Sequence, residues 1–230
     1  MKWIDRILDI LYPPTCVMCS AGDAWLCPAC QRELYCYRRA GCPRCGERDR
    51  DHVCTGEWPF ASVTVCGPYG DPAWRRMLTT YKYRSAACLD QALRQILKRF
   101  RDQYLDPWPW AQRNRIWIAA IPADARRKRQ RGFDHAARLA DLVQEVLLPW
   151  GERRDILGRA RMTMTNAKLP SDDLRAANVS GSFRATGPIT EPVLLVDDVL
   201  TSGATMAEAA KILLAAGAPE VHVFCWARGG

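Results

Sequence analysis

The stretch from Val193 to Thr205 places acidic and hydroxyl groups in an order that suits a sugar phosphate. Four apolar residues, 193–196, predict a buried strand, and two adjacent carboxylates follow it at Asp197 and Asp198. Next come a hydroxyl-rich loop and a predicted helix start, with the residues Thr201, Ser202, Gly203, Ala204 and Thr205. Ligands of open parallel sheets bind at the carboxyl ends of strands, and N–H groups at a helix start bind phosphate. The order therefore predicts that the acids hold ribose hydroxyls and the loop a 5-phosphate, although a strand followed by an ordinary helix cap shares part of this pattern.

The same thirteen residues resemble the phosphoribosyl-pyrophosphate (PRPP) motif of type I phosphoribosyltransferases. Ser202 stands where threonine is commoner in that motif, and it keeps the hydroxyl group. The resemblance implies that Asp197 and Asp198 bind the ribose of PRPP and that residues 201–205 bind its 5-phosphate. It also implies that Mg²⁺ accompanies PRPP as a bridge between the pyrophosphate and the ribose hydroxyls.

A run of cations follows another predicted strand, 116–121. Five of the six residues from 126 to 131 are cationic, and a helix is expected to begin near Asp134. Counter-charge and a helix start together favour the pyrophosphate group of PRPP. A charge run alone is more often a solvated surface. The predicted pyrophosphate ligands are Arg126, Arg127, Lys128 and Arg131.

The cysteines predict a metal site. Nine of the eleven cysteines lie at or before position 66, and disulfide frameworks belong to exported proteins. Residues 1–14 contain charges at positions 5, 6 and 9 and lack the apolar core of a signal peptide. Two Cys-x2-Cys pairs within fifteen residues are typical of a structural, tetrahedral zinc site with four protein ligands. The predicted ligands are Cys16, Cys19, Cys27 and Cys30.

A second cysteine unit is incomplete, because Glu57 occupies the position that would close a second Cys-x2-Cys pair. Zinc accepts imidazole and carboxylate as well as thiolate. A second zinc would therefore take its fourth ligand from His52, Cys36 or Glu57, and the alternative is a degenerate site without metal. One or two zinc ions per chain are expected. The three cysteines of this unit are Cys42, Cys45 and Cys54.

From residue 61 the chain alternates predicted helices with short apolar runs. Helical spacing of apolar residues occurs over 74–81, 89–100, 134–148 and 204–216, the last ended by Gly217. Buried strands are predicted at 116–121, 193–196 and 221–226. Strands that alternate with helices predict an α/β fold, a parallel sheet with helices on both faces. We expect two domains, an N-terminal helix with a double zinc ribbon over 1–60 and the α/β domain over 61–230.

Together these features resemble the ComF (competence protein F) family over nearly the whole chain. The paired zinc ribbons, the PRPP motif and two segments, Leu78–Arg84 and Arg131–Ala136, carry the resemblance. The family has Asn-Gln where this chain has Asp134 and His135. The resemblance implies a type I phosphoribosyltransferase-like fold for the second domain. It also implies a role in natural transformation, in the cytoplasm, on incoming single-stranded DNA and alongside a helicase-like partner.

One segment carries the whole positive excess of the chain. The net charge is +8, and residues 67–132 hold 15 Lys and Arg against 5 Asp and Glu. Such a segment favours an anionic partner, whereas the alternative is a solvated basic surface or one that contacts the ribbon. Because phosphate backbones supply most non-specific affinity for nucleic acids, we predict that single-stranded DNA binds here. The predicted DNA-binding residues are Arg75, Arg76, Lys82 and Arg84.

Two functions of different classes follow. The favoured one is a cytoplasmic competence protein that binds PRPP and handles incoming single-stranded DNA. The alternative is an enzyme that transfers ribose 5-phosphate from PRPP to an acceptor and releases pyrophosphate, with Asp197 and Asp198 stabilising positive charge on the ribose. His135 is a possible base, but at the start of a helix it is expected to be a cap-region or surface residue. No apolar run approaches the roughly 18 residues of a membrane helix, so no membrane insertion is expected.

Overall fold

The apolar runs of the sequence build a five-stranded parallel sheet. The computed structural model describes residues 15–22, 24–34, 36, 58–83, 87–103, 109–124, 129, 133–160 and 172–229. The strand order is β1-β7-β6-β2-β3, and every neighbouring pair is parallel. These strands are β1 (Ser62–Pro68), β2 (Trp117–Ala120), β3 (Glu152–Arg153), β6 (Val193–Leu200) and β7 (Val221–Arg228). A separate antiparallel pair joins β4 (Leu157–Arg159) to β5 (Phe183–Ala185).

Helices cover both faces of this sheet, as the alternating pattern predicts. Leu194 and Val196 of β6 belong to the core cluster that contains the apolar side chains of α2, α3 and α4. Val193 and Leu195 point to the other face and pack in the cluster that contains the apolar side chains of α6. Successive side chains of a strand point to opposite faces of the sheet, so a strand with helices on both faces contributes alternate residues to two different clusters. The described helices are α1 (Pro28–Glu33), α2 (Pro72–Tyr83), α3 (Ala87–Gln103), α4 (His135–Leu147), α5 (Asp172–Val179) and α6 (Ala204–Ala215).

The fold class predicted from the sequence is confirmed, with small differences at element ends. Strand β6 continues past the predicted 193–196 to Leu200, so the two acids lie inside its last four residues. Helix α6 ends at Ala215, and Gly217 follows with a φ of +106°. A Cβ there would lie 2.8 Å from the carbonyl oxygen of Ile189, so only glycine fits this turn. Strand β1 was not predicted, although five consecutive residues of it are buried.

The first zinc ribbon segment packs against α2 and α3. Leu26 and Leu34 are buried in the same core cluster as the apolar faces of these helices. The Gln31 side chain donates to the carbonyl oxygen of Ala92 at 3.2 Å. Arg99 of α3 donates to the carbonyl oxygens of Gln31 at 3.0 Å and of Arg32 at 2.6 Å. Because these carbonyls end the short helix α1, Arg99 caps it and ties the ribbon to the α/β body.

The order of the strands creates a ligand crevice between β2 and β6. The chain passes from β2 to its neighbour β3 on one side and from β6 to its neighbour β7 on the other side. Such a reversal of direction opens a crevice at the carboxyl ends of the two strands, where open α/β sheets bind their ligands. Within the described residues, no helix is long and apolar enough to cross a membrane.

Candidate functional site

Asp197 and Asp198 lie at the carboxyl edge of the sheet, next to the β2–β6 crevice. Ala120, the last residue of β2, pairs with Val196, so the two acids extend just beyond the end of β2. Asp198 is buried, with 7% of its surface exposed, and Asp197 is half-buried. The backbone N–H of Asp198 donates to Oδ1 of Asp197 at 2.9 Å. The sequence-predicted ribose acids therefore stand together at the position where this fold binds ligands.

Two cationic or proton-donating side chains contact the buried Asp198. Nζ of Lys82, in the last turn of α2, lies 2.6 Å from Oδ2 of Asp198. Nε2 of His135, the first residue of α4, lies 3.0 Å from the same oxygen. His135 is itself buried, with 8% of its surface exposed, and is not the surface residue that its place at a helix start suggests. No spacing in the sequence signals these contacts, since the three residues belong to three distant elements.

The surroundings shift the pKa values of Asp197 and Asp198 in opposite directions. Burial raises the pKa of Asp198, but the charge of Lys82 and the hydrogen bond from His135 outweigh burial and hold that pKa well below its usual range. For Asp197, burial and the adjacent negative charge of Asp198 outweigh the weaker effects of His135 and Lys82 and raise its pKa to about 7. Burial lowers the pKa of Lys82, yet the Asp198 carboxylate reverses this effect and leaves it raised. The site thus holds one firmly ionised carboxylate beside one that titrates near neutral pH.

The hydroxyl-rich loop leads directly into the amino terminus of α6. Gly203 is the N-cap residue, with a φ of +76°, and no side chain caps the helix. A Cβ on Gly203 would lie 3.0 to 3.1 Å from ring atoms of Trp58, so both conformation and space require glycine. Thr201 is exposed, and Ser202 and Thr205 are half-buried. The loop therefore offers N–H groups and hydroxyls a few residues from the acids, which is an arrangement that suits a phosphate.

Another buried carboxylate, Asp90 of α3, fixes the two helices that supply Lys82 and His135. The Tyr81 hydroxyl of α2 donates to Oδ1 of Asp90 at 3.3 Å. Nε of Arg138 in α4 donates to Oδ2 of the same carboxylate at 2.9 Å. Tyr81 precedes Lys82 in α2, and Arg138 lies one turn after His135 in α4. Asp90 therefore holds both helices at the positions from which they reach Asp198.

The predicted pyrophosphate residues lie outside the described part of the chain. Arg126, Arg127, Lys128 and Arg131 are not among the described residues, and Arg129 between them is exposed.

The predicted DNA residues fall into different environments. Arg75 and Arg76 are exposed on α2, with the Arg75 guanidinium 5.5 Å from the Tyr69 ring centre. Arg76 donates to the carbonyl oxygen of Met18 in the ribbon at 2.9 Å. Lys82 instead faces Asp198, and Arg84 lies outside the described residues. Two of the four residues therefore form one exposed basic face that reaches the ribbon.

The four cysteines of the first predicted zinc site come together. Their sulfur atoms all lie within 4.8 Å of one another. Cys16 Sγ accepts from the N–H of Cys27 at 3.4 Å, and Cys27 Sγ accepts from the N–H of Cys30 at 3.5 Å. Burial raises the pKa of Cys16, but N–H groups that donate to its sulfur lower it to about 6, which favours the thiolate that zinc binds. Four convergent sulfurs fit a closed, structural zinc site.

The second predicted zinc site is not covered by the structure. Cys42, Cys45, Cys54, His52 and Glu57 all lie outside the described residues. Cys36, the remaining candidate ligand, is buried with 3% of its surface exposed, and its thiol meets that of Cys66 in β1. At the end of β6, His135, Asp197 and Asp198 also bring possible ligand atoms within 4.8 Å of one another, and the ammonium group of Lys82 contacts Asp198 there.

Comparisons with known proteins agree with the sequence resemblance. Residues 7–68 match the double zinc ribbon domain. The chain is 28% identical to DNA utilization protein YhgH of Salmonella typhi over 94% of this chain and 97% of that protein. It is 26% identical to competence protein F of Haemophilus influenzae over 88% and 90% of the respective chains. The match to YhgH of Escherichia coli O6:H1 is 36% identical but spans about half of each protein, 48% of both.

Substitution of a zinc ligand should remove metal and destabilise the ribbon. We expect Cys30→Ser to lower the zinc content by one ion per chain, as measured by inductively coupled plasma mass spectrometry. Because bound zinc contributes on the order of 10 kcal/mol to the folding of such small modules, residues 15–34 should also become sensitive to protease. Cys66→Ala removes a buried cysteine outside the cluster and should keep its zinc. Equal zinc content in the two variants would contradict the site.

Replacement of Asp197 should stabilise the protein in a pH-dependent way. The pKa of Asp197 is about 7 in the folded chain and 3.8 in the reference state, so the folded state binds a proton that the unfolded state has lost. Stability from this group therefore falls as pH rises from about 4 to 7. Asp197→Asn should raise the free energy of unfolding most at pH 8, and progressively less toward pH 4, in urea titrations. A gain that is the same at all pH values, or one matched by the exposed control Asp155→Asn, would contradict the assignment.

Proposed function

We propose that this chain is a DNA utilization protein, because it is similar to DNA utilization protein YhgH and to competence protein F over most of its length and carries a double zinc ribbon. It would bind PRPP at Asp197 and Asp198 and single-stranded DNA on the basic face of α2. The observation that carries the PRPP proposal is the pair of acids at the β2–β6 crevice, followed at once by an uncapped helix start. One half of this arrangement suits a ribose and the other half suits a phosphate.

The different acidities of the two carboxyl groups suit two neighbouring hydroxyls. Asp198 is held ionised and can only accept hydrogen bonds. Asp197, with a pKa of about 7, carries a proton about half of the time at neutral pH and can then donate as well. Hydrogen bonds to charged groups contribute about 1.5–3 kcal/mol each. These hydrogen bonds would therefore contribute to the affinity for a ribose that bridges the two carboxyl groups, even though the site is partly exposed to water.

The phosphate end of the ligand is recognised by the backbone rather than by a fixed side-chain cation. The N–H groups at the start of α6 have no side-chain cap, and the helix dipole places partial positive charge there. The glycine at position 203 adopts the positive φ of this N-cap and makes room for the Trp58 ring, so it fixes the turn that leads into the helix start. The pyrophosphate ligands predicted from the sequence are Arg126, Arg127, Lys128 and Arg131. Mg²⁺ bound with PRPP would neutralise part of the pyrophosphate charge.

The proposal for DNA rests on the exposed arginines of α2 and on their contact with the ribbon. Arg75 and Arg76 project from α2 within the segment of net charge +10. Arg76 reaches Met18, beside the zinc cysteines, so this basic face is continuous with the ribbon. Lys82, at the other end of α2, is paired with Asp198 and belongs to the sugar-phosphate site instead. The two ligands would thus use opposite ends of one helix.

Catalysis of phosphoribosyl transfer is the second candidate function, and the complete acid pair favours it. The C1–oxygen bond of PRPP would break, pyrophosphate would leave with the bonding electrons, and an acceptor nucleophile would bond to C1 and lose a proton. Ionised Asp198 would stabilise the positive charge that develops on the ribose. His135 is engaged with Asp198 and is placed to orient that acid. Release of pyrophosphate on addition of a candidate acceptor would distinguish this function from binding alone.

Binding of PRPP should depend on the charge of Asp198. We expect calorimetric titration with PRPP and Mg²⁺ to show binding by the wild-type chain and about 10- to 100-fold weaker binding by Asp198→Asn, since one charge-assisted hydrogen bond is weakened. Asp197→Asn should weaken binding less at pH 6 than at pH 8, because Asp197 is largely protonated at the lower pH. Absence of heat and of thermal stabilisation with the wild-type chain would refute the PRPP proposal.

Single-stranded DNA should bind to the basic face of α2 through its phosphates. If so, log affinity falls linearly with log salt concentration, by about 0.7 per phosphate contacted. Combined Arg75→Glu and Arg76→Glu substitutions should weaken binding and flatten this slope in fluorescence anisotropy titrations, whereas PRPP affinity should be unchanged. Lys211→Glu, at an exposed position of α6, is the charge control for each of the two single substitutions. Equal loss of affinity in the control, or no loss with either substitution, would refute the DNA proposal for this face.

A further inference from the structure

Lys82 and His135 both contact the same oxygen of Asp198, Oδ2. Both donors lie on Oδ2, at 2.6 and 3.0 Å. Across the described parts of the chain, no side chain or N–H group donates to Oδ1 of Asp198. We infer that Lys82 and His135 are positioning residues that hold Asp198 so that Oδ1 accepts a ribose hydroxyl of PRPP. This inference rests on the proposed PRPP site and adds two residues to it.

A carboxylate needs such support if it is to bind with a fixed geometry. The terminal torsion of an aspartate side chain has a broad, roughly two-fold preference, so one donor alone leaves the group free to rotate. Here the two donors reach Oδ2 from different helices, Lys82 from the end of α2 and His135 from the start of α4. A group contacted from two helices keeps one orientation before the ligand arrives, which reduces the ordering cost of binding.

The two helices are themselves fixed on one another. Asp90 of α3 accepts from Tyr81 in α2 and from Arg138 in α4, and it is buried with 6% of its surface exposed. Movement of either helix would break a hydrogen bond to a buried charge, which is costly. The positions of Lys82 and His135 therefore follow from packed, hydrogen-bonded helices and not from flexible side chains on a surface.

The burial of Lys82 separates it from the DNA-binding face. Its side chain is 21% exposed and its ammonium group is directed at Asp198. Arg75 lies on the same helix but is exposed, and its guanidinium rests over the Tyr69 ring. The two cations of α2 thus have different tasks, so Arg75 is a matched control for Lys82. Removal of either one changes the helix by a single positive charge.

The test is a double-mutant cycle between Lys82 and Asp198, with PRPP and Mg²⁺ as the probe in calorimetry. Lys82→Met should weaken PRPP binding by about tenfold or more, as expected for loss of a charge-assisted contact. In the Asp198→Asn background, the same substitution should cost less than about twofold, because it acts through Asp198. Binding of pyrophosphate, which has no ribose, should change by less than twofold. Arg75→Met should leave affinity for both ligands unchanged.

Substitutions of His135 are a second test, which distinguishes the loss of its hydrogen bond to Asp198 from the loss of side-chain volume and packing. His135→Ala removes the donor and should weaken PRPP binding, whereas His135→Gln retains an N–H donor and should restore most of the affinity. Thermal unfolding shows which variants fold. Lys82→Gln, which retains a donor without the charge, replaces Lys82→Met if that variant is unfolded.

Each other outcome overturns the inference in a recognisable way. Equal losses for PRPP and pyrophosphate would mean that Lys82 binds the pyrophosphate itself. Additive losses in the cycle would mean that Lys82 acts independently of Asp198. Tighter binding by Lys82→Met would mean that the lysine competes with the ligand for the carboxylate. If the wild-type chain fails to bind PRPP, the proposed function fails, whereas normal binding by wild type and Lys82→Met together refutes only this inference.

Discussion

The burial of a negative charge at the end of the central strand is the constraint around which this fold is arranged. Asp198 is nearly inaccessible to water, and an isolated carboxylate in that position would lose its hydration at a cost of several kcal/mol. Lys82 and His135 offset this cost, and each is delivered by a different helix. The helices α2 and α4 must therefore lie against the carboxyl edge of the sheet and not merely cover its face.

A second buried carboxylate, Asp90, likewise needs partners from neighbouring helices to offset the cost of its burial. Asp90 of α3 is satisfied by Tyr81 and Arg138, so it joins α3 to both helices that contact Asp198. Helix α3 in turn holds the ribbon, because Arg99 caps α1 and Ala92 accepts from Gln31. A continuous set of polar contacts thus runs from the zinc cysteines through α3 to the acids of the crevice. The described part of the ribbon, residues 15–34 without residue 23, is for this reason packed against the α/β body.

The β2–β6 crevice and the exposed side of α2 differ in the kind of anionic ligand that each is proposed to bind. At the crevice, negative carboxylates and a helix start face each other over a short distance, which favours a ligand with hydroxyls at one end and phosphate at the other. On the exposed side of α2, the guanidinium groups of Arg75 and Arg76 stand near the ribbon, which favours an extended polyanion.

Local patterns in the sequence were enough to predict the strands and helices that flank the site and the order of the site residues along the chain. The zinc cysteines are close in sequence, so their spacing alone predicts that their sulfurs converge, as they do within 4.8 Å. The acids, the loop and the helix start are likewise consecutive, and apolar periodicity predicts the strands and helices that flank them. Strand β1 was missed because its neighbour is β7, at the far end of the chain, and an isolated short strand gives little periodic signal.

Contacts between distant elements were decided only by the tertiary structure. Lys82 has the same charge and spacing as the exposed arginines of α2, so the sequence assigned it to the same surface, whereas the fold turns it onto Asp198. His135 opens a helix, as predicted, but burial and the contact with Asp198 depend on where α4 crosses the end of β6. The acidity of each carboxyl group depends on these same neighbours. Electrostatic interaction falls off over a few ångströms, so it is fixed by packing in space and not by order along the chain.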